Sequence, residues 1–287
     1  MTWDNTLMVL NGIIITPYLV VLAGILGLVM GSFINCWAWR YINGESVVSG
    51  RSHCTSCGHE LGIRDLVPVF SWLASKGKCR YCGEKVSARY PATEIICAVV
   101  FVAIVAVYGL SLETVELLIF ACILLFLSLT DIDDFLVPNG CIVAALVVRV
   151  VYMAIACALG QMTLADVGYF AGSAFAIGVA LLIVVLVADK VFGRESMGGG
   201  DLKLYFVAGL YFGWQQGIFV VILSCVIGIV VAIVAPRRKE PSPEGIPECE
   251  SESAMKRVFP FGPSIAVACI ITMLVGNPLV SWYVGLL

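Results

Sequence analysis

The sequence has few charged residues. Asp, Glu, Lys and Arg together make up 13% of its 287 residues, whereas hydrophobic residues make up 60%. Soluble domains carry roughly 25% charged residues, so this chain lacks the polar side chains that would cover a water-soluble surface of its size. The composition excludes an ordinary soluble domain and indicates a protein that lies largely in a membrane.

No Lys or Arg precedes the first apolar run, which begins near Ile13. A cleavable secretory signal begins with a basic segment, and this run is long enough to cross a bilayer. We therefore interpret it as a first membrane span rather than as a signal that is removed.

Eight apolar runs in the sequence approach the length of about 20 residues that a transmembrane helix needs. They predict an all-α polytopic membrane protein with about eight transmembrane helices. The sixth run is short, and the neighbouring glycines Gly198 to Gly200 and Gly213 indicate a helix that begins or breaks inside the membrane, so seven spans remain an alternative. The runs lie at about 13–36, 91–110, 114–130, 138–159, 167–192, 202–215, 217–235 and 260–286.

Basic residues predict the orientation of these spans. Lys and Arg cluster between the first and second, the fifth and sixth, and the seventh and eighth runs. The positive-inside rule places these connections in the cytoplasm and both chain termini outside it. The opposite connections carry Asp4, Glu113, Glu116 and Asp166 without Lys or Arg. Arg149 lies inside a predicted span, where it is either a functional residue or, as we favour, a cation paired within the bundle or reaching its edge.

The chain divides into three units. Residues 1–39 contain the first span, residues 40–90 form a small cytoplasmic domain, and residues 91–287 form the membrane bundle. Within the bundle, residues 236–257 are rich in Pro, Ser and Glu and nearly free of apolar residues, which predicts a disordered cytoplasmic loop. The sequence shows no internal repeat.

The small domain contains two C-x-x-C pairs separated by 21 residues, and each pair is followed by glycine. A C-x-x-C turn directs two thiolates at one metal, and the glycine lets the backbone turn over the sulfur atoms. Because disulfides are disfavoured in the cytoplasm, we predict structural zinc rather than redox or unmetallated thiols, with His53 and His59 as bystanders. The predicted ligands are Cys54, Cys57, Cys79 and Cys82.

Acidic residues lie at the predicted cytoplasmic ends of two spans. The third span ends in Asp131, Asp133 and Asp134, and helical spacing places Asp131 and Asp134 on one face. Asp201 opens the sixth span directly after Gly198 to Gly200, where a glycine backbone would let an extended peptide approach. Alone, the first group is equally consistent with solvent-facing acids and the second with a flexible connector. Together, two carboxyls in a partly dry site share a proton and can serve as base and acid of an aspartyl peptidase.

These acidic motifs resemble those of the type IV prepilin peptidases. The G-x-G-D sequence that ends at Asp201, followed by Lys203, resembles the motif of intramembrane and membrane-boundary aspartyl proteases. The D-x-D sequence from Asp131, with Pro138 and Asn139 downstream, looks like the partner motif. The resemblance runs in the family's order from the first span to the C-terminus. Further matching segments are Gly31-Ser32-Phe33-Ile34-Asn35, Asp65-Leu66-Val67-Pro68, Gly77-Lys78-Cys79-Arg80-Tyr81-Cys82, Tyr90-Pro91-Ala92-Thr93-Glu94 and Phe259-Pro260-Phe261-Gly262-Pro263.

The resemblance implies an enzyme of the bacterial cytoplasmic (inner) membrane. Members of the family remove the basic leader from prepilins and pseudopilins, and the family's catalytic pair corresponds to Asp131 and Asp201. Members with a large first loop also methylate the new N-terminus with S-adenosylmethionine. The implied partners are these substrates and membrane lipid, without nucleic acid.

Four departures from the family's pattern occur, and none touches the catalytic pair. Thr55 stands where many members have Pro, Ile42 breaks an Arg-x-Pro sequence, Asn139 is often Asp, and the insert at 236–257 is unusually long. The sequence contains no G-x-G-x-x-G or other nucleotide motif that would place the methyl donor.

A second class of function is a membrane transporter or assembly scaffold with a zinc-bearing cytoplasmic domain. Ionisable residues in mid-membrane would mark such a protein, and Arg149 is the firm candidate. The acidic residues lie instead at the membrane edge. Intramembrane cleavage of a helical substrate shares the G-x-G-D motif but has no need of a four-cysteine domain.

Overall fold

The computed structural model describes residues 15–48, 50–193, 196–234 and 260–284, with side chains from residue 18 to residue 276 of these ranges. The loop predicted at 236–257 lies outside the described residues. All the long secondary-structure elements in these ranges are helices. The β-structure in them consists of two isolated bridges, so the all-α prediction is confirmed. The helices are α1 (Ile15–Ile42), α2 (Phe70–Ala74), α3 (Arg89–Tyr108), α4 (Leu112–Asp134), α5 (Asn139–Ala158), α6 (Leu164–Phe192), α7 (Gly199–Val234) and α8 (Gly262–Val284).

In the described part of the chain, 6 helices are long and apolar enough to cross a membrane: α1 from Tyr18, and α3 to α7. The apolar part of α8 that is described, Gly262–Gly276, is shorter. Many of the large apolar side chains on these helices are exposed, as lipid-facing residues are. The fold is therefore that of a polytopic membrane protein.

Helix α7 consists of two arms rather than one rod. Gly213 has φ 75° and ψ 179°, which no helix contains. The Tyr205 hydroxyl lies 2.5 Å from Ser224 Oγ, although 19 residues of straight helix would span about 28 Å. The chain therefore reverses at Gly213, so that the first arm (199–212) packs against the second arm (214–234). The predicted break at this glycine is confirmed, and the sixth and seventh predicted spans are the two arms.

Glycines bring several helices into close contact. A Cβ atom on Gly27 of α1 would lie 2.5 Å from Ala98 Cα of α3, and one on Gly31 would lie 2.8 Å from Glu94 Cα. Membrane helices approach each other closely where small residues face one another. Helices α1 and α3 thus form a closely packed pair. Residues 43–88 connect the end of α1 to the start of α3, so both ends of this connection lie at the same end of the helix pair. We call residues 43–88 the cysteine segment.

The core of the bundle lies between α4, α7 and α8. Phe120 and Leu124 of α4, Leu204 and Tyr205 of α7 and Ile265 of α8 are fully buried there. This packing fixes α7 against α4. It thereby sets the position of Asp201 on α7 relative to Asp131 on α4.

Several helix ends meet at the end of the bundle that carries the cysteine segment. Arg89 at the start of α3 forms an ion pair with Asp133 near the end of α4. Lys203 at the start of α7 donates a hydrogen bond of 2.7 Å to Asn139 Oδ1 at the start of α5. We call this the cysteine end of the bundle.

Candidate active site and metal centre

Asp131 lies in the last turn of α4, at the cysteine end, and its side chain is buried. The backbone N–H of Gly262 donates a hydrogen bond of 2.8 Å to Asp131 Oδ2. Gly262 is the first residue of α8, and a helix N-terminus carries partial positive charge that favours a carboxylate. A Cβ atom on Gly262 would lie 2.8 Å from the same oxygen, so the close approach requires glycine.

Asp201 lies in the first turn of α7 and is half-buried. Its backbone N–H donates a hydrogen bond of 3.2 Å to the carbonyl of Gly198, the residue directly before the helix. The carboxyls of Asp201 and Asp131 are close enough for an electrostatic interaction. The structure therefore brings together, at one end of the bundle, the two carboxyls that lie 70 positions apart in the sequence.

The α4–α5 connection packs closely against Gly200, the residue before Asp201. A Cβ atom on Gly200 would lie 2.6 Å from Val137 Cβ, whereas a Cβ atom on Gly199 would meet nothing within 4 Å. Together with the bond between Lys203 and Asn139, this contact fixes the start of α7 against the end of α4. Gly200 thus has a packing role, which the sequence did not predict.

The neighbouring aspartates are placed differently from Asp131. The sequence predicted a shared face for Asp131 and Asp134, but Asp134 is exposed because it is the last residue of α4. Asp133 is also exposed and forms an ion pair with Arg89. Of the three aspartates, Asp131 alone is buried and faces α7 and α8.

Arg149 forms a buried ion pair inside the bundle. Its Nη1 lies 3.1 Å from both carboxylate oxygens of Glu116. Its Nε and Nη2 donate to the carbonyls of Leu210 and Tyr211 at 3.0 and 3.2 Å. These carbonyls end the first arm of α7, where the break at Gly213 leaves them without helical partners. The interpretation of Arg149 as a cation paired within the bundle is confirmed.

Glu116 was expected in a connection between spans, and that expectation is wrong. Glu116 lies on α4 and is 3% exposed. The sequence placed the span's start close to this residue, and a carboxylate there is normally solvated. Its partner Arg149 is 33 residues away on another helix, which hydropathy along one segment does not indicate.

Replacing Arg149 with Met should lower the free energy of unfolding by about 3–5 kcal/mol, because it leaves the Glu116 carboxylate buried without its partner. Reversible unfolding in mixed micelles measures this difference. A double variant, Arg149→Met with Glu116→Leu, should recover part of the loss, since no buried charge remains. A single variant as stable as the wild type would contradict the structural role of the pair.

The four predicted cysteines form one cluster, and no other candidate metal cluster occurs among the described residues. Their Sγ atoms all lie within 4.8 Å of one another, and Cys54 Sγ lies 4.0 Å from Cys82 Sγ. Tetrahedral zinc with Zn–S bonds of about 2.3 Å places sulfur atoms roughly 3.8 Å apart. The sulfur set therefore has the size of a four-thiolate metal site.

The two halves of the cluster have the same backbone geometry. The N–H of Gly58 donates to the Cys54 carbonyl at 2.8 Å, and the N–H of Gly83 donates to the Cys79 carbonyl at 2.9 Å. Both glycines have positive φ, 70° and 76°, which residues with a side chain rarely adopt. Each C-x-x-C turn is therefore closed by its glycine, as the sequence predicted.

The surroundings of Cys54 also favour the thiolate form of that one side chain. Backbone N–H groups of Cys57 and Ser56 point at the Cys54 sulfur and lower the pKa of its thiol from 9.0 to about 6, and the thiolate is the form that binds metal. His59 lies outside the cluster, with its ring 3.6 Å from the ring of Tyr81. The cluster can hold a metal ion with four sulfur ligands, and the histidines are not needed.

Comparison with known proteins gives two family matches. The family model described as "Bacterial Peptidase A24 N-terminal domain" matches residues 25–108. The model described as "Type IV leader peptidase family" matches residues 118–233. No solved structure matches the chain significantly.

Curated relatives match over most of the chain. The prepilin leader peptidase/N-methyltransferase of Bacillus subtilis is 30% identical over 260 residues, which cover 91% of this chain and 96% of the relative. The protein of the same name from Pseudomonas putida is 31% identical over 285 residues, covering 91% and 92%. The type 4 prepilin-like proteins leader peptide-processing enzyme of Escherichia coli is 29% identical over 276 residues, covering 88% and 93%.

Proposed function

This chain belongs to the type IV leader peptidase family, and from that premise we propose that Asp131 and Asp201 are the catalytic carboxyls that remove prepilin leaders. The enzyme is a multi-pass protein of the inner membrane that processes prepilins. The observation that carries the assignment is the juxtaposition of these two aspartates at the cysteine end. Asp131 is buried there against the N-terminus of α8.

The chemistry follows from one proton shared between two carboxyls. The ionised carboxyl removes a proton from a water molecule, whose oxygen attacks the carbonyl carbon of the bond after the leader. The protonated carboxyl gives its proton to the amide nitrogen, the C–N bond breaks, and the mature protein leaves with a free amino terminus. The Gly262 N–H holds Asp131 in place, and the contact between Gly200 and Val137 holds Asp201 beside it.

We assign the four cysteines to a structural zinc ion. The ligands are Cys54, Cys57, Cys79 and Cys82, and the ion would join the two C-x-x-C turns of the cysteine segment. The described residues of the segment contain a 3₁₀ turn at Ile63–Asp65 and the short helix α2, and the core of the segment is too small to stabilise it alone. The basic residues of this segment support a cytoplasmic location, with both chain termini on the opposite side.

The second activity that we propose is methylation of the new N-terminus, which the names of the relatives include. S-adenosylmethionine would supply a methyl group whose bond to sulfur breaks as its bond to nitrogen forms, so that the positive charge passes from sulfur to nitrogen. The enzyme must therefore offer a site for a cationic donor apart from Asp131 and Asp201. The transporter or scaffold alternative is not favoured, because Glu116 neutralises Arg149 inside the bundle.

Co-expression with prepilins of the same genome tests the proposal. Mass spectrometry of the purified pilins should show mature protein that lacks its leader and carries one added methyl group. Cells that express the Asp201→Asn variant should contain full-length prepilin. Unprocessed prepilin in cells with the wild-type enzyme would contradict the proposed function.

The two activities should be separable. A Cys79→Ser variant should lower methylation by a larger factor than it lowers cleavage and yield pilin that is cleaved but unmethylated, because neither peptidase carboxyl belongs to the cysteine segment. Asp201→Asn should stop cleavage and spare methylation of a pre-cut pilin. Intact-mass analysis distinguishes these outcomes. An equal loss of both activities in Cys79→Ser would mean that the segment only docks the substrate, and cleaved product that the wild type never methylates would mean a peptidase alone.

Gly200→Ala should slow leader removal by roughly 10- to 100-fold, because displacing a catalytic group by about 1 Å costs rates of this order. The added Cβ would meet Val137 at 2.6 Å and push the start of α7 away from α4. The matched control is Gly199→Ala, whose Cβ meets nothing within 4 Å and which should cleave faster than Gly200→Ala. Equal rates for the two variants, measured on one prepilin, would show that packing against Val137 does not position Asp201.

A further inference from the structure

Contacts with α3 indicate how deep the cysteine segment lies in the membrane. The N–H of Val69, the residue directly before α2, donates a hydrogen bond of 2.6 Å to Glu94 Oε2. Glu94 is buried and follows Arg89, the first residue of α3, by five positions. At 1.5 Å per residue its Cα lies about 7.5 Å further into the bundle. Helix α2 therefore begins beside the first two turns of a membrane span rather than above them.

Large apolar side chains are exposed at this depth. Phe70 and Leu73 of α2 are 66% and 58% exposed, and helical spacing places both on one face. Three residues shortly before α2 are exposed as well: Ile63, Leu66 and Val67. We call these five residues the apolar patch. A patch of this kind beside a membrane span marks a surface that lipid or another partner covers.

A neighbouring surface of the segment carries positive charge. Lys76, Lys78 and Lys85 line a cleft of about 460 Å³ together with Trp72 of α2. The three lysines are exposed, and none forms an ion pair with another described residue. Trp72 Nε1 donates a hydrogen bond of 3.0 Å to the Val86 carbonyl in the wall of the cleft. This bond fixes α2 against a cleft that attracts anions.

The cleft lies nearer to the aqueous phase than the apolar patch does. Ala88 lines the cleft and directly precedes Arg89 at the start of α3. Val69, in contrast, bonds with Glu94 further along that helix. The segment thus places its apolar side chains at the depth where acyl chains begin and its lysines at the level of the lipid phosphates.

We propose that the cysteine segment is anchored in the leaflet at the cysteine end of the bundle, with the apolar patch in the lipid and the three lysines on the phosphates of anionic phospholipids. Segments with an apolar face and a basic face lie in this way in the plane of a membrane surface. Both ends of the segment continue into membrane helices, α1 and α3, so the leaflet is within reach. A lipid surface meets both faces at once, whereas a soluble anion would leave the apolar patch uncovered.

Labelling with photoactivatable lipids tests the proposal on the full-length, zinc-containing enzyme. Nanodiscs of equimolar phosphatidylcholine and phosphatidylglycerol carry a trace of one lipid or the other with a diazirine in its acyl chain, and mass spectrometry after pepsin digestion locates the label. Residues 63–76 should be labelled, and more strongly by phosphatidylglycerol. Phe70→Ser with Leu73→Ser should lower this labelling several-fold. Val48→Ser, which removes an exposed apolar side chain elsewhere in the segment, should leave it unchanged.

The lysines have a matched control of the same charge. Lys76→Gln should lower the preference for phosphatidylglycerol roughly fivefold, the factor that one basic residue near an anionic surface contributes. Arg51→Gln also removes one exposed positive charge from the segment, but Arg51 pairs with Glu60 and lies outside the cleft. This variant should keep the wild-type preference. Zinc content equal to that of the wild type verifies that each variant is folded.

Either of two results would overturn the proposal. Residues 63–76 that neither lipid labels, in a sample whose α3 is labelled, would overturn the anchoring and leave the apolar patch to a protein partner. Equal labelling by the two lipids, or a wild-type preference in a variant with all three lysines changed to Gln, would overturn the binding of anionic phospholipid.

Discussion

Replacing Asp131 with Asn, or Asp201 with Asn, should lower the rate of leader removal by roughly 10²- to 10⁴-fold, the contribution typical of a general acid or base. Asn keeps the size of the side chain and its ability to accept the Gly262 N–H bond, but it can neither take up nor release the proton. Both changes should leave zinc content and membrane insertion as in the wild type. Rates measured on a purified prepilin by mass spectrometry give the comparison.

The aspartates beside Asp131 provide matched controls. Asp133→Asn and Asp134→Asn should have much milder effects, because both side chains are exposed at the end of α4. Asp133→Asn also removes the ion pair with Arg89, and exposed pairs of this kind contribute little to stability. A loss at Asp133 as large as the loss at Asp131 would mean that the D-x-D motif was assigned to the wrong carboxyl.

Removing the metal should unfold the cysteine segment while the membrane helices stay folded. The freshly purified, reduced enzyme should contain about one zinc ion per chain, held by the four cysteines. In domains this small, the free energy of metal binding is much of the free energy of folding. Without the ion, repulsion between thiolates and the loss of the link between residues 54–58 and 79–83 would leave few contacts to hold the segment together.

Hydrogen exchange measures this expectation. Cys57→Ser, or treatment with a strong chelator, should greatly speed amide exchange within residues 50–88 and change exchange in α4 and α7 much less. Cys225→Ser is a matched control, since Cys225 is an exposed cysteine of α7 that lies outside the cluster. Metal analysis that finds no zinc in freshly purified, reduced protein would remove the zinc assignment.

Local sequence patterns predicted most of the architecture. Runs of apolar residues indicated the membrane helices, since a span must be apolar along its whole length. Gly213 indicated the break in α7, because glycine adopts the positive φ that the turn requires. The spacing of the cysteines and their glycines indicated the cysteine cluster, since a cluster of this kind consists of two short local turns.

Contacts between distant segments could not be predicted in the same way. The pairing of Arg149 with Glu116, and the hydrogen bond from Gly262 to Asp131, each depend on how separate helices pack. The Phe259-Pro260-Phe261-Gly262-Pro263 motif marked the start of α8 but not its contact with the Asp131 carboxyl. Glu94 belonged to a matching segment as well, yet its hydrogen bond from the Val69 N–H depends on how the cysteine segment packs against α3.

The most direct test is the rate of leader removal by purified wild type, Asp131→Asn, Asp201→Asn and the double variant, all with equal zinc content. Carboxyls that share one proton act as a unit, and the effects of such groups are not additive. The account predicts that each single variant is nearly inactive and that the double variant is no slower than either. Cleavage at the wild-type rate by a verified Asp201→Asn preparation would contradict it.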